Sequence, residues 1–235
     1  VLQWNLLHLA QWKHLSQLLV VASKEEVEEV KNDIDQIQSY VCQQVEDGAN
    51  EYNFLSNVSV VIGGQERQDS VMNGMKALDK DVDIVLVHDG ARPMAEPDLF
   101  NRVSISAKHY GAAVAAVPTT DTVKRVYENG DVIETLVRNE LFNMQTPQGF
   151  QRDLFEEAIA YAKETGYLGT DDVSLVEHLG KKVHVVDSSY QNSKITTPND
   201  VEVAKRYLGI QEGHMRVGMG YDIHQLKKGR PCILG

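Results

Sequence analysis

Apolar positions recur along this chain at two alternating spacings. Leu2, Leu6 and Leu9 lie four and three apart, the repeat of one helix face. "LLVVAS" follows as a short apolar run that suits a buried strand. Val27, Val30, Ile34, Ile37 and Val41 then mark one face of a second helix. "VSVVIGG" reads as a strand closed by two glycines, and "RQDSVMNGMKAL" as the helix after it. "VDIVLVHD" is a third strand, apolar throughout, as strands covered on both faces are. "EPDLFNRVSISAKHYG" has a helix start and a glycine stop, and "AAVAAVP" is a fourth strand. Strand and helix alternating at short spacing predict an α/β fold with a mostly parallel, open sheet.

The rhythm then changes. "TVKRVYENGDVIETLVR" is two extended runs around Asn129-Gly130, a dipeptide that suits a type I′ hairpin turn. Such a hairpin, inserted after a strand of the sheet, is expected to project as an arm. Helical spacing returns in "QRDLFEEAIAYAKETG" and in "TDDVSLVEHLG", with Thr170 as the expected N-cap of the latter. "KKVHVVDSS" is the last strand of this unit. "TPNDVEVAKRYLG" follows, with Thr197 as cap and Pro198 at the first helical position. No glycine stands before Gly48. Nucleotide-binding α/β domains usually open with a strand and a Gly-rich turn that brings backbone N–H groups to phosphates. The expectation is therefore that such a strand and turn lie ahead of Val1.

Composition narrows the function. The 235 residues carry a net charge of −11, which argues against nucleic acid as the main partner. A small anionic ligand needs only a few well-placed cations. No apolar run approaches the roughly 20 residues of a membrane helix, and no secretory signal is visible. Cys42 and Cys232 do not make a disulfide framework, so a cytoplasmic location is expected.

Candidate chemistry gathers where strands give way to helices. "VLVHDGARP" delivers His88 and Asp89 at the carboxyl end of a strand, where ligands sit in open α/β sheets. Asp89 suits a hydroxyl or a phosphate-bound Mg²⁺, and Arg92 a phosphate. A plain Asp-Gly turn with a solvated arginine is the competing account. In "GGQERQDSV", Gly63 and Gly64 permit close backbone approach, and Asp69 or Ser70 suits a helix cap; a tight turn plus cap explains that corner equally well. Lys124, Arg125 and Arg138 lie on the hairpin, and Lys194 lies between the last strand and helix. Singly, each reads as a solvated cation. Together, an acid, two glycines and several cations at successive corners of one sheet predict a site for a phosphorylated or nucleotide ligand.

Six stretches in order, "GGQERQDSV", "VLVHDGARP", "DTVKRV", "RNELFNMQTPQGF", "TDDVSLVE" and "KITTPNDVEVAKRYL", resemble 2-C-methyl-D-erythritol 4-phosphate cytidylyltransferases of the non-mevalonate isoprenoid pathway. The resemblance covers residues 1–210. It implies a Rossmann-like sheet and a β-arm that clasps a second subunit of a homodimer. It also implies transfer of a cytidylyl group from CTP to 2-C-methyl-D-erythritol 4-phosphate, with Mg²⁺ and loss of pyrophosphate. By position, Gly64 and Ser70 would contact the cytidine, with Gln65 where some relatives have Asp. Asp89 and Arg92 would bind methylerythritol phosphate and order the metal-bound triphosphate. Thr122 and Arg138 would reach the partner's site, and Lys194 would neutralise charge at the α-phosphorus.

The tail, "MRVGMGYDIHQLKKGRPCILG", resembles the opening of 2-C-methyl-D-erythritol 2,4-cyclodiphosphate synthases, whose Asp and His in a D-x-H motif bind a divalent metal, usually Zn²⁺. Asp222 and His224 match, and two apart on a strand they leave from one face. Residues 211–235 are therefore expected to be a linker and the first strands of a second α/β domain, making the chain a fragment of a bifunctional enzyme, inactive by itself. Two other readings remain at this point, a sugar-phosphate nucleotidyltransferase and a non-catalytic dimerising remnant.

Overall fold

A computed structural model describes residues 1–46 and 57–208 of the chain. The run around Asp222 and His224 lies outside the described residues. Elements follow in the order α1 (Leu2–Ala10), β1 (Leu18–Ala22), α2 (Val27–Glu46), β2 (Val58–Ile62), α3 (Arg67–Lys76), β3 (Ile84–Val87), α4 (Pro97–Tyr110) and β4 (Ala112–Pro118). Then come β5 (Lys124–Val126), β6 (Val132–Thr135), a 3₁₀ turn (Arg138–Glu140), β7 (Phe142–Gln151), α5 (Arg152–Thr165), α6 (Val173–His178), β8 (His184–Asp187) and α7 (Pro198–Tyr207).

The sheet is layered between helices because its strands are apolar on both faces. Along β4, Ala112 and Val114 pack with Phe150, Phe155 and the α5–α6 side. Ala113 and Ala115 face the other way, onto Phe100 and Val103 of α4. A four-stranded sheet runs in the order β3-β7-β4-β8, and β1 and β2 form a separate parallel pair. β8 runs parallel to β4, while β7 runs antiparallel to both β3 and β4. β7 was not expected from the sequence. "FNMQTPQGF" lacks the β-branched apolar run of a buried strand, and its proline argues against a central one.

Gly149 explains part of that composition. A Cβ there would lie 2.7 Å from Leu86 Cδ2 and 2.9 Å from Val103 Cγ1, so α4 and β3 approach β7 only across a glycine. Two caps also differ from expectation. Asp172, not Thr170, is the N-cap residue of α6, and Asp171 Oδ1 accepts from the Ser174 N–H. The hairpin turn is not type I′, because Gly130 alone has positive φ; its N–H donates to the Tyr127 carbonyl at 2.9 Å. Thr197 and Pro198 begin α7 as the sequence predicts, with Asp200 completing a capping box.

β1 and β3 do not pair, and an apolar cavity of about 520 Å³ separates them. Residues 18–21 and 84–87 all line it. Consecutive strand residues point to opposite faces, so a cavity touching all of them runs along the strand edges, in the plane of the sheet. Leu6 and Leu9 of α1 close one side, and Val71 and Met75 of α3 the other. Asp89 and Lys194 also border the cavity.

Candidate active site

β3 ends at Val87, and the chain turns sharply, with the Arg92 N–H donating to the Asp89 carbonyl at 2.9 Å. The Asp89 carboxylate faces three cations. Lys194 Nζ lies 3.1 Å away, Arg92 Nε 3.5 Å and Arg67 Nη2 3.9 Å. Burial alone would raise the Asp89 pKa, but the Lys194, Arg67 and Arg92 charges outweigh it and hold the group below its usual range. Asp89 is therefore ionised at neutral pH. Arg92 is anchored from behind by its Nη1 donating to the Asn192 carbonyl at 2.8 Å. Lys194 reaches the same point because the Ile195 N–H donates to the Ala91 carbonyl, tying the loop after β8 to the loop after β3.

Arg67 and Asp172 were not singled out in the sequence, yet they form the tightest ion pair at the site, 2.5 Å between Nη2 and Oδ2. Burial pushes the Asp172 pKa up, and the Arg67 guanidinium restrains that rise. Gln148 of β7 accepts from the Asp172 and Val173 N–H groups, both at 3.0 Å, and so fixes the start of α6. The Asp171 carboxylate also acts on Arg67 and Asp172, so three carboxylates accompany the three cations. Arg67, Arg92 and Lys194 are donors of the kind that pair with phosphate.

The glycine corner lies beside it. Ser70 Oγ accepts from the Gly64 N–H at 3.0 Å and donates to the Glu66 carbonyl, while Asp69 accepts from the Glu66 N–H. A Cβ on Gly64 would fall 2.1 Å from Asp69 Cβ, so only glycine lets the loop fold back on the start of α3. Ser70, Arg67, Asp89 and Lys194 border one cavity. Of the expected residues, Ser70, Asp89 and Lys194 border this cavity, with Gly64 bonded to Ser70 and Arg92 paired with Asp89.

Thr122 and Arg138 are not brought there. Both are exposed on the arm, and Arg138 Nη1 donates to the Thr120 carbonyl at 3.4 Å. Among the described residues neither makes a hydrogen bond or ion pair with the Asp89 cluster. No group of three His, Cys, Asp or Glu side chains with metal-binding geometry occurs among the described residues. Mg²⁺ usually binds through one or two carboxylates plus substrate phosphates. One ionised Asp89 fits a metal that arrives on phosphates, and does not fit an all-protein cage. Among the described residues, no helix is long and apolar enough to cross a membrane.

Residues 1–210 match the family of 2-C-methyl-D-erythritol 4-phosphate cytidylyltransferase. A protein of that name from Syntrophus aciditrophicus is 39% identical over 215 residues, covering 92% of this chain and 86% of the relative. Its namesake from Bacillus pumilus is 49% identical over 162 residues, 68% of this chain and 70% of the relative. Among solved structures, 4-diphosphocytidyl-2C-methyl-D-erythritol synthase from Anaerococcus prevotii superposes with a TM-score of 0.77 at 29% identity, covering 88% of this chain and 85% of that one.

Proposed function

The chain belongs to the 2-C-methyl-D-erythritol 4-phosphate cytidylyltransferase family, and we propose that its Asp89 cluster is where CTP and methylerythritol phosphate react. The observation that carries this reading is one ionised carboxylate ringed by Arg67, Arg92 and Lys194 at the carboxyl end of β3. A phosphate oxygen of methylerythritol phosphate attacks the α-phosphorus of CTP in line. The new P–O bond forms as the bond to pyrophosphate breaks, giving 4-diphosphocytidyl-2-C-methyl-D-erythritol.

No group on the protein needs to become covalently attached. The protein's contribution is position and charge. Asp89 and Arg92 hold methylerythritol phosphate and order the metal-bound triphosphate, and Lys194 offsets charge at the α-phosphorus. Gly64 and Ser70 meet the cytidine. Mg²⁺, when bound with CTP, supplies charge neutralisation across the phosphates.

In this reading the arm clasps a second subunit, so that Thr122 and Arg138 serve the partner's site, and the enzyme works in the cytoplasm. The edge-lining cavity supports a further strand between β1 and β3, supplied by residues ahead of Val1 together with a Gly-rich loop. Residues 211–235 are proposed to open a 2,4-cyclodiphosphate synthase domain, with Asp222 and His224 as two of its Zn²⁺ ligands; the residue order of the tail supports this.

The test is pyrophosphate release by the full-length enzyme. It is expected only when CTP, methylerythritol phosphate and Mg²⁺ are present together. Equal turnover with a sugar 1-phosphate would overturn the substrate assignment.

A further inference from the structure

Asp89 and Arg92 face the site from a loop only five residues long, counted from His88. Besides its own turn bond from the Arg92 N–H to the Asp89 carbonyl, the loop is held from outside. The Asp89 N–H donates to Thr146 Oγ1 at 3.0 Å, from β7. The Gly90 carbonyl accepts from Asn5 Nδ2 at 2.7 Å, from α1. Between these two anchors sits the partly buried His88 ring, 3.0 Å from Thr146 Oγ1 through Nδ1 and 3.1 Å from Asn5 Oδ1 through Nε2.

The partners decide the tautomer. Nε2 also lies 3.2 Å from the Arg92 carbonyl, which only accepts, so Nε2 carries the hydrogen. Nδ1 is then an acceptor and takes the Thr146 hydroxyl hydrogen. That leaves Thr146 Oγ1 free to accept from Asp89, and every bond in the chain acquires a direction. The edge of Phe100, 4.9 Å from the ring centre to centre, keeps the imidazole from turning.

We propose that His88 is a positioning residue for the transfer reaction: as the Nε2–H tautomer, bridging Thr146 and Asn5, it fixes the 88–92 loop so that Asp89 and Arg92 address the same phosphates. This rests on the reading of Asp89 and Arg92 as substrate-facing groups. In this role His88 acts through the loop it holds. Its effect belongs to the alignment of reacting groups rather than to the grip on cytidine, which is built at Gly64 and Ser70 on another corner.

Thr146→Val removes the relay hydroxyl, and Thr146→Ser keeps it. In the full-length enzyme, Thr146→Val is expected to lower kcat about tenfold or more, as misalignment of reacting groups does. KM for CTP should stay within about threefold, because the grip on cytidine at Gly64 and Ser70 is left in place. Thr146→Ser should restore most of kcat. Asp89→Asn, assayed alongside, separates this proposal from the reading beneath it. If Asp89→Asn is inactive while Thr146→Val turns over normally, the site stands and the His88 proposal is overturned. If Asp89→Asn is fully active, the site reading fails and the proposal fails with it. An independent measurement needs no variant: nitrogen NMR of the unliganded enzyme should place the His88 hydrogen on Nε2. A hydrogen on Nδ1 would overturn the proposal.

Discussion

Protonating His88 would put a charge in the interior beside Arg92, and burial holds its pKa down to about 4 from the ordinary 6.5. Asp89 nearby raises it only in part. Between those pH values the unfolded chain binds a proton there that the folded chain refuses, so stability falls as pH drops from 6.5 towards 4. The loss is complete below the folded pKa and amounts to about 3 kcal/mol from this group. Urea unfolding at pH 7 and pH 5 should show about 2 kcal/mol of it, since pH 5 still lies above the folded pKa. His88→Gln should flatten the dependence, and an unchanged slope would remove His88 as its source. At this scale the sequence revealed Asp89, Arg92 and Lys194, because each stands at a strand-to-helix corner. It did not reveal Arg67 with Asp172, whose pairing spans 105 positions. Nor did it reveal that Thr146 and Asn5 converge on His88, since only the packing of α1 and β7 against β3 brings them together.

The elements legible in the sequence were those with a period. Helices α1 to α4 and the strands between them have apolar residues at regular spacing, and each formed where expected. β7 has no such period, because its residues answer to particular contacts: Gln148 orders α6, Thr146 orders the Asp89 loop, and Gly149 admits α4. The arm, by contrast, was legible from its turn, and among the described residues β5 and β6 pair only with each other. Its residues are exposed along both strands, which suits the proposed contact with another subunit. If Arg138 serves the partner's site as proposed, Arg138→Ala and Lys194→Ala enzymes should each be nearly inactive. Mixed in equal amounts and allowed to exchange subunits, they should recover about a quarter of normal activity, since half the dimers carry one intact site of two. No recovery after confirmed exchange would place both residues in one subunit's site.

For the molecule as a whole, the strand proposed to lie between β1 and β3 would decide whether residues 1–235 suffice for catalysis. Unpaired strand edges leave backbone donors and acceptors without partners, at a cost of about 1 kcal/mol or more for each buried one. A Gly-rich turn at the end of an inserted strand would offer the triphosphate several backbone donors. Losing about four of them would weaken CTP binding roughly a thousandfold. Residues 1–235 expressed alone are therefore expected to show no measurable transfer and no micromolar CTP–Mg²⁺ binding by isothermal titration. Tight binding by this chain would show that its present residues complete the site. The arm carries a different consequence. Pro118 of β4 pairs with Phe142 of β7, and the Thr119 N–H donates to the Leu141 carbonyl at 2.9 Å. Topologically, everything from 120 to 140 is therefore the loop of one long hairpin, closed at its neck. Lengthening, shortening or re-angling that loop leaves the neck in register and the Asp89 corner untouched. In the proposed dimer, subunit geometry could thus drift through evolution while the chemistry stays in place, and residues that act across the interface would hold the drift in check.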